Sequence, residues 1–127
     1  MQESARDPQH ANFALAGMVD VAETARQQGI DLYGGEMGKR MMAALEFQAQ
    51  YLPPNNTPAP EHLEFAPRPT WEIAYNEFHD RLGFKLPKMA AVLPTIRPTG
   101  INHQIAWETL THGSIGSVGL PPLKTKK

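Results

Sequence analysis

The helical fold is decided by residues 8–28, which read PQHANFALAGMVDVAETARQQ. Apolar residues recur in this stretch at intervals of three and four, a spacing that places them on one face of an α-helix. Gly29 follows directly, and glycine commonly terminates helices because it adopts left-handed backbone angles without strain. The apolar face consists of Leu15, Met18, Val19, Ala22 and Ala25. The sequence therefore predicts one amphipathic helix over residues 8–28.

The same periodicity predicts further helices. Residues 35–52 repeat it with Met37, Met41, Leu45 and Leu52. The short connection to the first helix favours an antiparallel pair. Shorter helices are predicted over residues 88–93, ending before Pro94, and over residues 102–111. Because no paired strand pattern occurs, the sequence predicts an all-α fold built from antiparallel helix pairs.

A third long helix is predicted over residues 70–82, after a loop that contains six prolines between residues 53 and 69. Proline removes backbone donors, so residues 53–69 are predicted to form a long ordered loop. The apolar face of the third helix carries Trp71, Ala74, Tyr75, Phe78 and Leu82. Its opposite side carries a polar stripe of Glu72, Asn76 and His79.

Composition and net charge limit the classes of partner that this chain is expected to bind. The 127 residues are 41% hydrophobic and 20% charged, which is ordinary for one globular domain. A net charge of -1 gives no broad basic field, so neither nucleic acid nor an anionic membrane is an expected partner. An anionic ligand would have to be held by a few placed cations. Residues 113–127, rich in glycine, proline and lysine, are predicted to be a flexible tail.

Arg6 and His10 are candidates for a catalytic pair. They lie four residues apart where the first helix begins, so their side chains emerge on one side. Arginine offers a permanent planar cation, and histidine titrates near neutral pH. The structural alternative is that Arg6 pairs with an acidic neighbour such as Glu3 or Asp7 and that His10 is a surface or capping residue. Tyr75 and Trp71 are further candidate site residues, and the structural alternative for both is that their side chains pack in the core.

Metal and nucleotide sites are not predicted. The five histidines lack the helical spacing of zinc hydrolases, and no cysteine is present. The glycine pairs fit no phosphate-binding loop pattern. We therefore expect no metal and no cofactor.

Five stretches, taken in order, carry a resemblance to a known family. They are ESARDPQH at 3–10, QGIDLYG at 28–34, WEIAYN at 71–76, RPTG at 97–100 and WETL at 107–110. Together they resemble the C-terminal half of alginate-lyase-domain proteins over about residues 3–112.

The resemblance implies a fold and a reaction. Residues 1–112 are expected to form the C-terminal portion of an α/α toroid, an incomplete helical barrel whose cleft binds uronic acid polymers. The implied reaction is β-elimination in a periplasmic or secreted polysaccharide lyase acting on alginate or a related polyuronate. The resemblance implies catalytic roles for Arg6, His10 and Tyr75. It implies substrate contacts by Glu3, Arg68, Trp71, Arg97 and His103.

This chain departs from the family pattern in two places. It lacks the asparagine-histidine pair that related lyases carry on an earlier helix, and Phe13 stands where one branch has a tyrosine. Two other interpretations therefore stay open. One is a non-catalytic or degenerate carbohydrate-binding domain. The other is a helical interaction module that uses the face of Trp71, Tyr75 and Phe78 against a partner protein.

Overall fold

The computed structural model describes residues 8–61, 65–97 and 108–113, and every regular element within them is helical. The all-α prediction is therefore confirmed. The helices are α1 (Pro8–Gln27), α2 (Gly35–Ala49), α3 (Trp71–Tyr75), a π-helical segment (Asn76–Arg81), α4 (Pro87–Ile96) and α5 (Glu108–His112). None of the helices in these ranges is long and apolar enough to span a membrane. The toroid and the boundaries of the domain stay predictions.

Helix α1 has nearly the predicted bounds, and its end is the predicted glycine stop. Gly29 has φ +80°, in the left-handed region, and its N–H donates to the carbonyl of Arg26 at 2.9 Å. Leu15, Val19 and Ala22 are buried as expected. Met18 is 39% exposed, so it lies at the edge of the apolar face rather than in the core.

The core lies where α1, α2, α3 and α4 meet. Its largest fully buried side chains include Trp71, Phe78, Met41, Leu45 and Met89. The ring of Tyr33 packs edge-on against Phe78, with centroids 5.2 Å apart. Because Trp71 and Phe78 are 1% and 0% exposed, their face contacts the chain's own core. The interpretation in which that face binds a partner protein is therefore wrong.

The third predicted helix changes type after Tyr75. Residues 76–81 adopt π-helical geometry, and the N–H of Leu82 donates to the carbonyl of Glu77, five residues back, at 3.0 Å. The wider turn rotates the residues that follow relative to an α-helix. Phe78 keeps its core position, but Leu82 is 48% exposed. The prediction that Leu82 shares the apolar face was wrong for this reason.

Helix α4 is longer than predicted. It runs from Pro87 to Ile96 and includes Pro94, which was expected to end it. Pro87 occupies the first turn, where proline's missing N–H costs nothing. The first N–H groups of a helix have no acceptor within the helix. In α4 they are capped from α2, because the Glu46 carboxylate accepts hydrogen bonds from the N–H groups of Met89 and Lys88 at 3.0 and 3.2 Å.

The proline-rich segment is an ordered loop in its described residues. The Asn55 side-chain amide donates to the carbonyls of Ala49 and Lys88 at 2.9 and 3.0 Å, which ties the loop to the end of α2 and the start of α4. Tyr51 and Phe65 stack with centroids 4.6 Å apart, joining the two ends of the segment. The predicted ordered loop is therefore confirmed over residues 53–61 and 65–69.

Replacing Gly38 by alanine is expected to destabilise the fold. A Cβ at Gly38 would lie 1.6 Å from the carbonyl oxygen of Tyr33, and backbone cannot move aside cheaply. We expect a loss of about 2 kcal/mol or more in the free energy of unfolding, measured by urea titration. The matched control is Gly17→Ala in α1, where no atom lies within 4 Å of the added Cβ. It should stabilise by about 0.5–1 kcal/mol, and equal effects of the two changes would contradict this packing.

Candidate functional site

The predicted Arg6 and His10 pair lies only partly within the described residues. His10 is exposed in the first turn of α1. Arg6 and Glu3 precede the described residues, and His103 falls in the gap between residues 97 and 108. The convergence of Arg6, Glu3 and His103 on a ligand therefore stays a prediction.

Two other predicted residues, Tyr75 and Arg97, meet in one cleft of about 190 Å³ between the π-helical segment and α4. Its walls combine a polar side with an apolar one. The described residues that line it are Tyr75, His79, Asp80, Ala90, Leu93, Pro94 and Arg97. His10 is not among them. The cleft is thus the place where the described structure brings predicted site residues together.

His79 and Asp80 form an oriented pair in this cleft. The imidazole Nδ1 of His79 lies 2.8 Å from a carboxylate oxygen of Asp80. When Nδ1 carries the proton, it donates to Asp80 and leaves Nε2 as a proton acceptor. The ring of His79 stacks on that of Tyr75, with centroids 4.5 Å apart and planes 15° from parallel. This arrangement fixes the imidazole beside the phenol.

Tyr75 is held in its protonated form. Burial raises the pKa of the phenol above its ordinary value, the negative charge of Asp80 raises it further, and Arg97 partly opposes both. At neutral pH the hydroxyl therefore carries its proton and can donate it. Tyr75 is half-buried, so its hydroxyl belongs to a partly desolvated wall.

Arg97 lines the cleft, but two of the N–H groups of its guanidinium already donate to another side chain of the protein. Its guanidinium forms a forked ion pair with Glu72, in which Nη2 donates to Oε2 at 2.6 Å and Nε donates to Oε1. Glu72 is 1% exposed and also accepts a bond from the Thr109 hydroxyl at 3.2 Å. Hydrogen bonding to Glu72 raises the pKa of Arg97 above its ordinary value. Arg97 therefore anchors the cleft wall, and a substrate would meet a neutralised cation.

Trp71 and Arg68 do not line this cleft. Trp71 is 1% exposed, so the core-packing alternative is the correct one and its ring cannot stack on a sugar. Arg68 is 3% exposed and lies over the ring of Phe13, with 3.7 Å between the guanidinium carbon and the ring centroid.

A separate cluster of charges joins α1, the π-helical segment and α5. The Glu23 carboxylate accepts hydrogen bonds from Arg26 and Gln27 and lies 3.5 Å from His112 Nε2. Glu77 forms ion pairs with Arg26 and Arg81 at 3.5 and 3.0 Å. The Arg26 hydrogen bond, against an opposing effect of burial, lowers the pKa of Glu23 to about 2. Both carboxylates are therefore paired with side chains of the same chain, and we interpret this cluster as structural.

Sequence reasoning missed the roles of Glu72 and Asp80. The polar stripe was expected to face away from the apolar face, yet Glu72 is buried by its pairing with Arg97. The signal that was available is the spacing of Tyr75 and His79, one turn apart, followed at once by an acidic residue. Among the described residues, no group of three or more metal-binding side chains is placed to hold a metal ion.

Removing the partner of Glu72 is expected to destabilise the fold. Arg97→Met leaves a buried carboxylate without its cation, which costs about 3 kcal/mol in the free energy of unfolding. The double variant Glu72→Met/Arg97→Met should recover most of this loss, because no unpaired charge remains. Urea unfolding of the two single variants and the double variant measures the coupling. Additive losses in the double variant would show that the two side chains do not interact.

Acid unfolding is expected to report on Glu23. Its pKa in the folded protein is about 2, against an ordinary value of 4.5. The stability from its contacts is therefore present above pH 4.5 and is lost as the pH falls through about 2. Glu23→Gln should unfold more easily than the original protein at neutral pH, and the difference should shrink towards pH 2. Glu36→Gln, at an exposed ion pair with Arg40, is the control and should change little at any pH. A difference for Glu23→Gln that does not vary with pH would contradict the assignment.

Comparison with known proteins supports one family. Residues 1–58 match the family model described as Alginate lyase. No curated protein matches the chain, and neither does any solved structure. The match includes two of the five stretches on which the resemblance was based, ESARDPQH and QGIDLYG, and it ends before the other three. The resemblance is thus confirmed over residues 1–58, which are similar to the alginate lyase family.

Proposed function

We propose that this chain is part of a polysaccharide lyase that cleaves uronic acid polymers, such as alginate, by β-elimination. The observation that carries the proposal is the match of residues 1–58 to the alginate lyase family, because this range contains both Arg6 and His10. Residues 1–112 would form the C-terminal portion of a toroidal catalytic domain. The substrate would be an acidic polysaccharide, met in the periplasm or outside the cell.

The reaction sets three chemical demands. A base removes the proton from C5 of a uronate, the C5–H electrons form the C4–C5 double bond, and the C4–O bond breaks. An acid then delivers a proton to the departing glycosidic oxygen. A cation or hydrogen-bond donor must stabilise the negative charge that develops on the carboxylate. No oxidant, water molecule or organic cofactor is consumed.

Within this proposal five of the predicted residues have a role. Arg6 neutralises the carboxylate, His10 is the base or a substrate ligand, and Tyr75 protonates the leaving oxygen. The raised pKa of Tyr75 suits an acid that must carry its proton at neutral pH. Glu3 and His103 would contact the sugar chain from neighbouring segments.

The cleft adds a second histidine to this set. His79 is oriented by Asp80 and stacks on Tyr75, so a proton acceptor and a proton donor stand on one wall. At about 190 Å³ the cleft is smaller than the roughly 300–1,000 Å³ typical of pockets for drug-sized ligands. It suits one sugar unit of a polymer rather than several. His79 therefore competes with His10 for the role of base.

A non-catalytic carbohydrate-binding domain is the second candidate function. Two observations favour it. Phe13, which stands where a branch of the family has tyrosine, has no proton to transfer, and the cation at the cleft is neutralised by Glu72. In this case the chain would bind polyuronates without cleaving them.

The first test is the rise in ultraviolet absorbance from unsaturated uronate ends when the 127-residue protein meets alginate, polymannuronate, polyguluronate and glucuronan. We expect activity on at least one polymer and a loss of about a hundredfold or more in Tyr75→Phe, because it removes the donated proton. Tyr51→Phe, at a half-buried tyrosine that does not line the cleft, is the matched control. His10→Ala and His79→Asn separate the two candidate bases.

The outcomes divide the two functions. Loss of activity in Tyr75→Phe but not in Tyr51→Phe supports the lyase. If the folded protein cleaves none of the four polymers but is retained on an alginate column, the lyase is excluded and the binding domain is supported. Equal activity of both tyrosine variants would remove Tyr75 from the mechanism.

A further inference from the structure

Arg68 is a buried cation with no acidic partner among the described residues. It is 3% exposed, and it forms no ion pair with any acidic side chain in the described ranges. Burial lowers the pKa of its guanidinium below the ordinary value. Arginine nevertheless keeps its charge in proteins. A charge removed from water in this way is costly unless something compensates it.

Stacking on Phe13 compensates only one side of the group. The guanidinium carbon lies 3.7 Å from the centroid of the ring, so the aromatic face meets the face of the cation. The N–H donors of a guanidinium point outward in its plane and are not satisfied by a ring below it. Nε of Arg68 is sealed from solvent and has no acceptor among the described residues. This donor is therefore unsatisfied within the described structure, and an anion lying in the plane of the guanidinium would satisfy it.

Two further buried polar atoms, on residues adjacent in sequence to Phe13 or two positions after Arg68, are also unsatisfied within the described structure. Asn12 precedes Phe13 on α1, and its side-chain NH₂ donates to the carbonyl of Ala66, two residues before Arg68. The other end of that amide, Oδ1, is buried without a donor, and the hydroxyl of Thr70 is buried without a partner in the described structure. Thus an unpaired cation and an unpaired acceptor flank the crossing of α1 and the loop that leads to α3.

We propose that Arg68, Asn12 and Phe13 form a binding site for the carboxylate and an adjacent hydroxyl of a sugar acid. A planar carboxylate can accept two parallel hydrogen bonds from a guanidinium, and this pairing is stronger than a bond between neutral groups. A sugar hydroxyl supplies the donor that Asn12 Oδ1 lacks. A simple inorganic anion would satisfy Arg68 but not Asn12.

The position of the site fits a ligand that arrives from the surface. Ala66 is exposed, and Phe13 and Pro67 are half-buried, so the guanidinium lies just below the protein surface. The site is distinct from the cleft of Tyr75 and His79, whose described lining contains neither Arg68 nor Asn12. It deepens the proposed function, on which the choice of a sugar acid rests. It gives the chain a cation for its substrate in place of the neutralised Arg97.

The test is ligand-dependent thermal unfolding with sodium glucuronate as the probe. Glucose lacks the carboxylate, sodium acetate lacks the hydroxyls, and sodium chloride matches the ionic strength. We expect glucuronate to raise the unfolding midpoint of the original protein more than any of the three. Arg68→Met should abolish this rise, whereas Arg40→Met, at an exposed arginine of α2, should retain it. Without ligand, Arg68→Met should unfold no earlier than the original protein, because it removes an uncompensated charge.

A second variant guards against a folding defect. Arg68→Lys keeps the charge but loses the planar fork, so it should fold and bind glucuronate at least about tenfold more weakly in calorimetric titration. Glucuronate that protects Arg68→Met as well as the original protein would overturn the proposal. Equal protection by acetate and glucuronate would overturn the claim that the site also recognises a hydroxyl of the sugar. Thermal unfolding and calorimetry detect binding and require no bond cleavage. Glucuronate binding can therefore be found when the lyase assay shows no activity, and lyase activity can be found when glucuronate does not bind.

Discussion

The ion pair between Glu72 and Arg97 is the interaction on which the arrangement of the C-terminal half depends. Glu72 belongs to α3, Arg97 follows the end of α4, and Thr109 of α5 donates to the same carboxylate. One buried carboxylate therefore joins α3, the end of α4 and α5. A buried pair of this kind contributes geometric specificity more than net stability, because desolvation offsets much of the attraction. Its effect is to hold the cleft wall next to Tyr75.

Within the described residues, buried Arg68 and half-buried Arg97 show opposite solutions to the same physical problem. Arg97 has a carboxylate that occupies its fork, so it is electrically neutralised and structural. Arg68 has an aromatic ring on its face, and its Nε has no acceptor in the described part of the chain. Stability alone would favour an apolar residue at Arg68. The proposed anion would account for a cation at this position, because it would complete the hydrogen bonds of the guanidinium.

Sequence periodicity was sufficient for the helices but not for their polar contacts. The bounds of α1, the glycine stop at Gly29 and the burial of Trp71 follow from local spacing and glycine chemistry. The extension of α4 through Pro94 and the exposure of Leu82 do not, because they depend on packing between segments distant in the chain. In the site, the pairing of Tyr75 with His79 is local and was available from the sequence. The pairing of Glu72 with Arg97 spans 25 residues and appears only in three dimensions.

The π-helical segment has a consequence for how this sequence can be compared with others. An α-helix turns by about 100° per residue, so one extra residue within a turn shifts every later side chain by that angle. In this segment His79 and Asp80 line the cleft while Glu77 and Arg81 line the charge cluster beside Arg26. A homologue with one residue fewer between Phe78 and Arg81 would keep the helix and its apolar positions up to Phe78. It would nevertheless present a different set of polar residues to the cleft. A homologue with a single deletion at this point could therefore keep the fold and lose the site.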